Sequence, residues 1–123
     1  MRITSLELLN YRNYENLAVS FDPGVNIIYG ENAQGKTNIL ESIYMCGLAK
    51  SHRKSKEQEL IRFRCEEAHI KGTFTGGELS KRIDIHLKKS GIKGVAINRI
   101  PIRRVSELYG TVSVVIFSPE DLE

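Results

Sequence analysis

Alternation of apolar and polar residues with period two marks two stretches near the start of the chain as half-buried β-strands. Residues 2–9 form the first stretch, and Leu17, Val19 and Phe21 alternate with polar neighbours in the second. The polar and aromatic residues 10–14 between them have the composition of a turn. The pattern therefore predicts two paired strands.

Three later stretches with the same alternation predict a meander of antiparallel strands, because glycine-containing turns at 76–77 and 90–91 separate them. They cover residues 68–75, 80–87 and 92–98. Ile83, Ile85 and Leu87 are expected to share one face of this sheet.

Two apolar runs predict further strands. Residues 25–29 follow the turn-forming Asp22-Pro23-Gly24 and lead into a glycine-rich stretch. Residues 112–117 are continuously apolar except for Ser113, the pattern of a strand buried on both faces.

Helical spacing of apolar residues predicts one main helix over residues 36–49. Ile39, Leu40, Ile43, Tyr44 and Leu48 are expected to pack on the sheet, and the polar positions Asn38, Glu41 and Ser42 are expected to lie elsewhere.

Two shorter helices and one loop complete the predicted elements. Residues 57–63 predict a short helix with Leu60, Ile61 and Phe63 turned inward, and residues 103–109 predict another that ends at Gly110. The basic segment 50–56 contains no acid and is predicted to be a loop.

The chemistry of the chain centres on a stretch that fills every fixed position of the phosphate-binding pattern G-x-x-x-x-G-K-[ST]. It consists of Gly30, Glu31, Asn32, Ala33, Gln34, Gly35, Lys36 and Thr37. The predicted strand before it and helix after it supply the context that this motif requires. The alternative is a glycine-rich turn that contains Gly-Lys-Thr by coincidence.

Residue type explains how this stretch would bind a nucleotide. Gly30 and Gly35 allow backbone angles that point successive NH groups at phosphate oxygens. Lys36 adds a positive charge, and the start of a helix favours anions. The hydroxyl of Thr37 would hold Mg²⁺, which bridges the outer phosphates of ATP.

Composition limits the class of protein. The chain has 123 residues, 41% of them hydrophobic, and a net charge of +3, which fits one small globular domain and permits a nucleic-acid partner. Cys46 and Cys65 are expected to be buried free thiols, consistent with a reducing cytoplasm. No stretch predicts a signal peptide or a membrane span, so we expect a soluble protein without a membrane partner. His52 is expected to have a surface role.

A complete nucleotide-hydrolysing site needs a second acidic group at the end of a buried strand. Glu120 and Asp121 follow the last apolar run, but Ser118 and Pro119 intervene, so an acidic turn is the simpler interpretation. A phosphate loop and a buried strand at the end of the chain are typical of the first part of a longer sheet, so we expect residues 1–123 to be a fragment of a longer chain with little or no turnover alone.

Four stretches in order resemble the N-terminal part of the RecF family of bacterial DNA replication and repair proteins. They are residues 3–14, residues 30–41, Lys50-Ser51-His52-Arg53 and residues 117–122. The resemblance extends over essentially the whole chain.

The resemblance implies an α/β fold of the P-loop ABC/SMC ATPase-head type, whose N-terminal lobe has a mixed sheet, an antiparallel meander and one main P-loop helix. It also implies an ATP-dependent homodimer that binds double-stranded DNA and gapped junctions, cooperates with RecO and RecR, and serves DNA-damage repair and the SOS response. Arg12 and Asn13 match a polar pair near the nucleotide. Related heads usually have a glutamine after the last strand, where this chain has Ser118-Pro119-Glu120.

Two acid-free basic segments, residues 42–56 and 85–106, are candidates for contact with DNA phosphates. Such contact would weaken with salt and would not depend on base sequence. The candidate residues in these segments are Arg53, Lys54, Lys56, Lys88, Lys89, Lys93, Arg103 and Arg104. The alternative is a solvated surface. Two other functions remain open at this point: a small-molecule phosphotransferase with the same loop and, less well matched, a transporter ATPase subunit.

Overall fold

The computed structural model describes residues 2–21, 33–50, 56–91, 93–109 and 111, with the backbone alone at 33–36 and 57. The predicted turn at 22–24, the strand at 25–29, most of the basic loop, and the strand and acidic turn after residue 111 lie outside these residues.

Six described strands form one sheet in the order β2-β1-β3-β4-β5-β6, and each neighbouring pair is antiparallel. The strands are β1 Arg2–Tyr11, β2 Tyr14–Ser20, β3 Glu67–Gly76, β4 Leu79–Lys88, β5 Gly94–Ile97 and β6 Ile100–Pro101. The predicted strand pair and meander are thus confirmed.

Strand β6 has no counterpart among the predicted elements. It is formed because Asn98 and Arg99 take positive φ angles of 51° and 68°, which suits a two-residue hairpin turn. The Asn98 side chain also accepts a hydrogen bond of 2.8 Å from the backbone NH of Arg82. Neither residue is glycine, so the turn has a weak sequence signal.

The helices are α1 Ala33–Leu48, α2 Glu57–Leu60 and a 3₁₀ turn at Val105–Glu107. Helix α1 begins three residues earlier than the predicted start at residue 36, because Ala33 and Gln34 are good helix formers. The predicted helix over 103–109 is wrong in length, since only the 3₁₀ turn forms within it. Glu107 accepts the backbone NH groups of Arg103 and Arg104, which lowers the pKa of its carboxyl group.

The core lies between α1 and one face of the sheet. Alternate residues of the strands are buried there, as the period-two pattern predicts, and Ile83, Ile85 and Leu87 share that face. They pack with Met45 and Cys46 of α1 and with residues beyond the helix, among them Ala49, Leu60, Ile61 and Leu108.

One of the two cysteines is not fully buried, contrary to the prediction. Both are free, but only Cys46 is buried and Cys65 is half-buried. Burial, with a smaller contribution from the charge of Asp84, raises the pKa of Cys46 to about 12. A thiol with that pKa is almost entirely protonated at neutral pH.

We expect the native protein to react with a thiol reagent at Cys65 and not at Cys46, because only a thiolate attacks and Cys46 is buried and protonated. Absorbance of the released thionitrobenzoate over time would measure this. In Cys65→Ser, Cys46 should react only after unfolding. Fast modification of native Cys65→Ser would contradict the prediction.

Candidate functional site

The phosphate-binding stretch runs into the start of α1. Residues 33–36 form the first turn of the helix, and Thr37 follows, half-buried. Gly30, Glu31 and Asn32 lie outside the described residues. Since the first turn of a helix carries unpaired NH groups and the positive end of the dipole, the motif lies where an anion is favoured.

Arg12 and Asn13 occupy the tight turn between β1 and β2, in which Tyr11 pairs with Tyr14. Arg12 has a positive φ of 52°. Two backbone hydrogen bonds join the turn to the end of α2 and the segment after it. The NH of Arg12 donates to the carbonyl of Leu60, and the NH of Arg62 donates to the carbonyl of Asn10, both at 2.8 Å. The backbone thereby fixes the direction of the Arg12 and Asn13 side chains.

An ion pair joins this turn to α1. The Arg12 guanidinium donates from Nε to Oε1 of Glu41 and from Nη2 to Oε2, each at 2.9 Å. The Tyr11 hydroxyl donates to Oε1 at 2.5 Å. Glu41 is fully buried. Its hydrogen bond and charge raise the pKa of Arg12, although desolvation opposes the shift.

A second contact beside the ion pair joins the same two elements. Asn38 is 1% exposed and donates from Nδ2 to Oδ1 of Asn13 at 2.8 Å. Asn38 immediately follows Thr37, so these contacts position the helix one residue beyond the motif. Arg12 and Asn13 therefore contact α1 in the described structure; their predicted contact with nucleotide stays a prediction.

The predicted orientation of α1 was wrong for its polar residues, although Ile39 is buried as predicted. Asn38, Glu41 and Ser42 were expected away from the packed face, yet all three are buried, whereas Leu40, Ile43 and Tyr44 are half-buried. The reason is that their polar groups have partners inside the protein; the Ser42 hydroxyl, for example, donates to the Ile39 carbonyl at 2.6 Å. Buried polar groups with such partners cost little free energy.

An open groove of about 990 Å³ adjoins this contact, lined on one side by Arg12, Asn13 and Asn38. Its other lining residues include the cations Arg62, Arg64 and Lys89, against one described acid, Glu59. Sequence reasoning missed Arg62 and Arg64, because they fall outside both acid-free segments. The sequence feature that could have indicated them is the triplet Arg62-Phe63-Arg64, in which two cations flank an aromatic residue.

Phe63 corrects another prediction, since it was expected inward and is 82% exposed. Helix α2 ends at Leu60, and Ile61 then forms a β-bridge with Tyr11. Arg64 turns the chain with a φ of 72°, and its guanidinium lies 5.4 Å from the centre of the Phe63 ring. The helix therefore ends three residues before Phe63.

The predicted DNA-binding residues differ in exposure. Lys56, Lys89, Arg103 and Arg104 are exposed, Lys88 and Lys93 are half-buried, and Arg53 and Lys54 lie outside the described residues. Lys93 donates from Nζ to the Ala49 carbonyl at 2.8 Å, at the end of α1. Their contact with DNA stays a prediction.

Within the residues that the structure describes, no helix is long and apolar enough to cross a membrane.

Residues 5–115 match the family model of the AAA domain, and the chain therefore belongs to that family of nucleotide-binding domains. Its resemblance to RecF is confirmed by the DNA replication and repair protein RecF of Lachnoclostridium phytofermentans, which is 56% identical over 122 residues. That match covers 99% of this chain and 34% of the relative, so the chain spans about a third of the relative's length.

Solved structures confirm the predicted fold class. The structure of the recombination mediator protein RecF-ATP in the RecFOR pathway has a TM-score of 0.89 and 36% identity, covering 98% of this chain and 33% of that one. The SMC head domain from Thermotoga maritima has a TM-score of 0.71 at 20% identity, over 88% of this chain and 41% of that one, which shows the fold alone. The chain has the fold of a P-loop ATPase head of the ABC/SMC type.

Proposed function

We propose that this chain is the ATP-binding lobe of an ATP-dependent DNA-binding protein that acts in DNA replication and recombinational gap repair. The observation that carries the proposal is the attachment of α1. The phosphate-binding stretch enters this helix, and the Arg12–Glu41 and Asn13–Asn38 contacts join the helix to the sheet one to four residues later. The RecF structure described with ATP supports the same nucleotide.

In this proposal, Gly30 to Gly35 surround the phosphates with backbone NH groups and Lys36 neutralises their charge. Thr37 holds Mg²⁺ through its hydroxyl. Arg12 and Asn13 act first as positioning residues, because both contact α1, and the groove that they line would receive the part of the nucleotide beyond the phosphates.

The same proposal extends to partners of the longer protein. ATP would join two copies into a homodimer, and the exposed cations Lys56, Lys89, Arg103 and Arg104 would contact DNA phosphates. Double-stranded DNA with a gap, RecO and RecR are the partners that the likeness to RecF supports. Residues 1–123 would be one part of the head domain, without a complete hydrolytic site.

A binding measurement with Lys36→Ala tests the nucleotide site. We expect the affinity for ATP with Mg²⁺ to fall about 10- to 100-fold, since a charge-assisted contact contributes about 1.5–3 kcal/mol. Isothermal titration of the native protein, with and without Mg²⁺, gives the comparison. Lys81→Ala, a change in a lysine to which we assign no role, should bind ATP as the unmodified protein does.

Equal ATP affinity in Lys36→Ala and the unmodified protein would refute the site. Transfer of phosphate to a metabolite in the absence of DNA would favour the small-molecule phosphotransferase instead. Stimulation of ATP binding by DNA would support the DNA-repair assignment if it disappears in Lys36→Ala.

A further inference from the structure

A cluster of three side chains of the types that bind metals lies on the face of the sheet opposite α1. Glu67 and His69 belong to β3 and His86 to β4, and their ligand atoms all lie within 4.8 Å of one another. These residues alternate with Ala68, Ile70, Ile85 and Leu87, which are buried in the core. The cluster is therefore separated from the phosphate-binding stretch by the sheet itself.

The register of the two strands sets the cluster. His69 and His86 are directly paired across β3 and β4, and their rings stack with centroids 4.2 Å apart and planes 18° from parallel. Glu67 lies two residues before His69 on the same face, and its Oε1 is 2.9 Å from Nε2 of His86. The two imidazoles thus lie face to face, and the Glu67 carboxylate contacts a nitrogen of one of them.

We propose that Glu67, His69 and His86 form a binding site for a divalent transition metal of the zinc class. Zinc bonds to histidine nitrogen and carboxylate oxygen at about 2.0–2.2 Å, so tetrahedral ligand atoms lie roughly 3.3 Å apart. The 2.9 Å between Glu67 and His86 is close to that spacing, and His69 would turn out of its stack on His86 to supply the third ligand. Nitrogen ligands favour zinc, cobalt or nickel over Mg²⁺, which prefers oxygen.

The surroundings suit a site that is both rigid and open. Strands β3 and β4 each have a neighbouring strand on both sides, which holds the backbone of all three ligands in place. The side chains of His86 and Glu67 are 33% and 53% exposed, so a metal can enter and keep a solvent ligand. Gly94 lies opposite His86, and a Cβ added there would be 3.8 Å from that of His86, which leaves room beside the ring.

Charged residues lie beside the cluster on the same two strands. Lys88 is paired with Glu67, and Lys71 with Asp84, which also forms an ion pair with Arg82. A bound metal would link two strands through their side chains. Ligand binding to the folded state alone raises its stability, so the metal would act as a clamp between β3 and β4.

Titration of the native protein with Co²⁺, free of any histidine tag, tests this site. We expect visible d–d absorption that saturates at one equivalent, is displaced by Zn²⁺ and is unaffected by excess Mg²⁺. Zn²⁺ should also raise the Tm. Lys36→Ala should leave the Co²⁺ spectrum unchanged even where ATP binding is lost. The metal site and the nucleotide site are therefore tested independently.

Substitutions assign the ligands. His69→Asn and His86→Asn should each weaken Co²⁺ binding at least about tenfold. His52→Asn, a change in the remaining histidine of the sequence, should bind Co²⁺ normally. Glu67→Gln alters an exposed side chain and keeps the fold, so its weaker binding tests the site even if a histidine variant fails to fold.

Absence of saturable binding at one equivalent would overturn the proposal. So would normal affinity in His69→Asn and His86→Asn, or loss of the site in His52→Asn. Unchanged binding in Glu67→Gln would contradict the assignment of three ligands.

Discussion

Replacement of Arg12 by alanine is expected to lower the free energy of unfolding by about 3–5 kcal/mol. Glu41 is fully buried, and the change removes the guanidinium that donates two hydrogen bonds of 2.9 Å to its carboxylate. A buried carboxylate that loses its cation keeps the cost of desolvation without the compensating attraction. Urea denaturation followed by circular dichroism measures the effect.

Arg82→Ala is the matched control, because Arg82 and Asp84 form an ion pair of 3.0 Å with side chains 34% and 24% exposed. More exposed pairs contribute about 0–1 kcal/mol. Arg12→Lys keeps the charge but loses the bidentate hydrogen bonding to Glu41. Its stability should therefore lie between those of the unmodified protein and Arg12→Ala. If Arg12→Ala and Arg82→Ala destabilise equally, the buried pair does not hold the turn to α1.

Gly72→Ala is expected to destabilise the protein by about 1–3 kcal/mol, the usual cost of overpacking a core. A Cβ at position 72 would lie 2.8 Å from Sγ of Cys46 and 3.1 Å from the Phe74 ring. Cys46 is fully buried in α1, so its sulfur has little room to move. Thermal and urea unfolding of the variant measure the loss.

Gly94→Ala is the control for this change, because the nearest atom to an added Cβ there is 3.8 Å away. Its stability should be unchanged or higher, since alanine has fewer unfolded conformations than glycine. The double variant Gly72→Ala with Cys46→Ala should recover part of the loss. A Gly72→Ala protein as stable as Gly94→Ala would show that α1 and β3 are not in close contact at this point.

The regular elements were predictable because their signals are local. Period-two alternation depends on which residues face the core, and β3 and β4 show it most regularly. The predictions that failed depended on neighbours distant in sequence. The helical spacing seen from Leu60 to Phe63 continues past Ile61, where pairing with Tyr11 of β1 replaces the helix.

The orientation of α1 shows the same limit at the candidate site. Apolar spacing favoured a packed face of Ile39, Leu40, Ile43, Tyr44 and Leu48, because Glu41 is costly to bury on its own. Tyr11 and Arg12 remove that cost, and they lie 30 and 29 positions away in the sequence. No periodicity within the helix contains that information.

The cluster of Glu67, His69 and His86 could likewise not be predicted from the sequence, since His69 and His86 come together only through the pairing of β3 with β4. The sequence by itself determined the phosphate-binding motif, the strand pattern and the likeness to RecF, because each depends on residue types at fixed local spacing. The tertiary structure alone decided which polar groups are buried. Burial of a charge is settled by partners that only the folded chain brings within hydrogen-bonding distance.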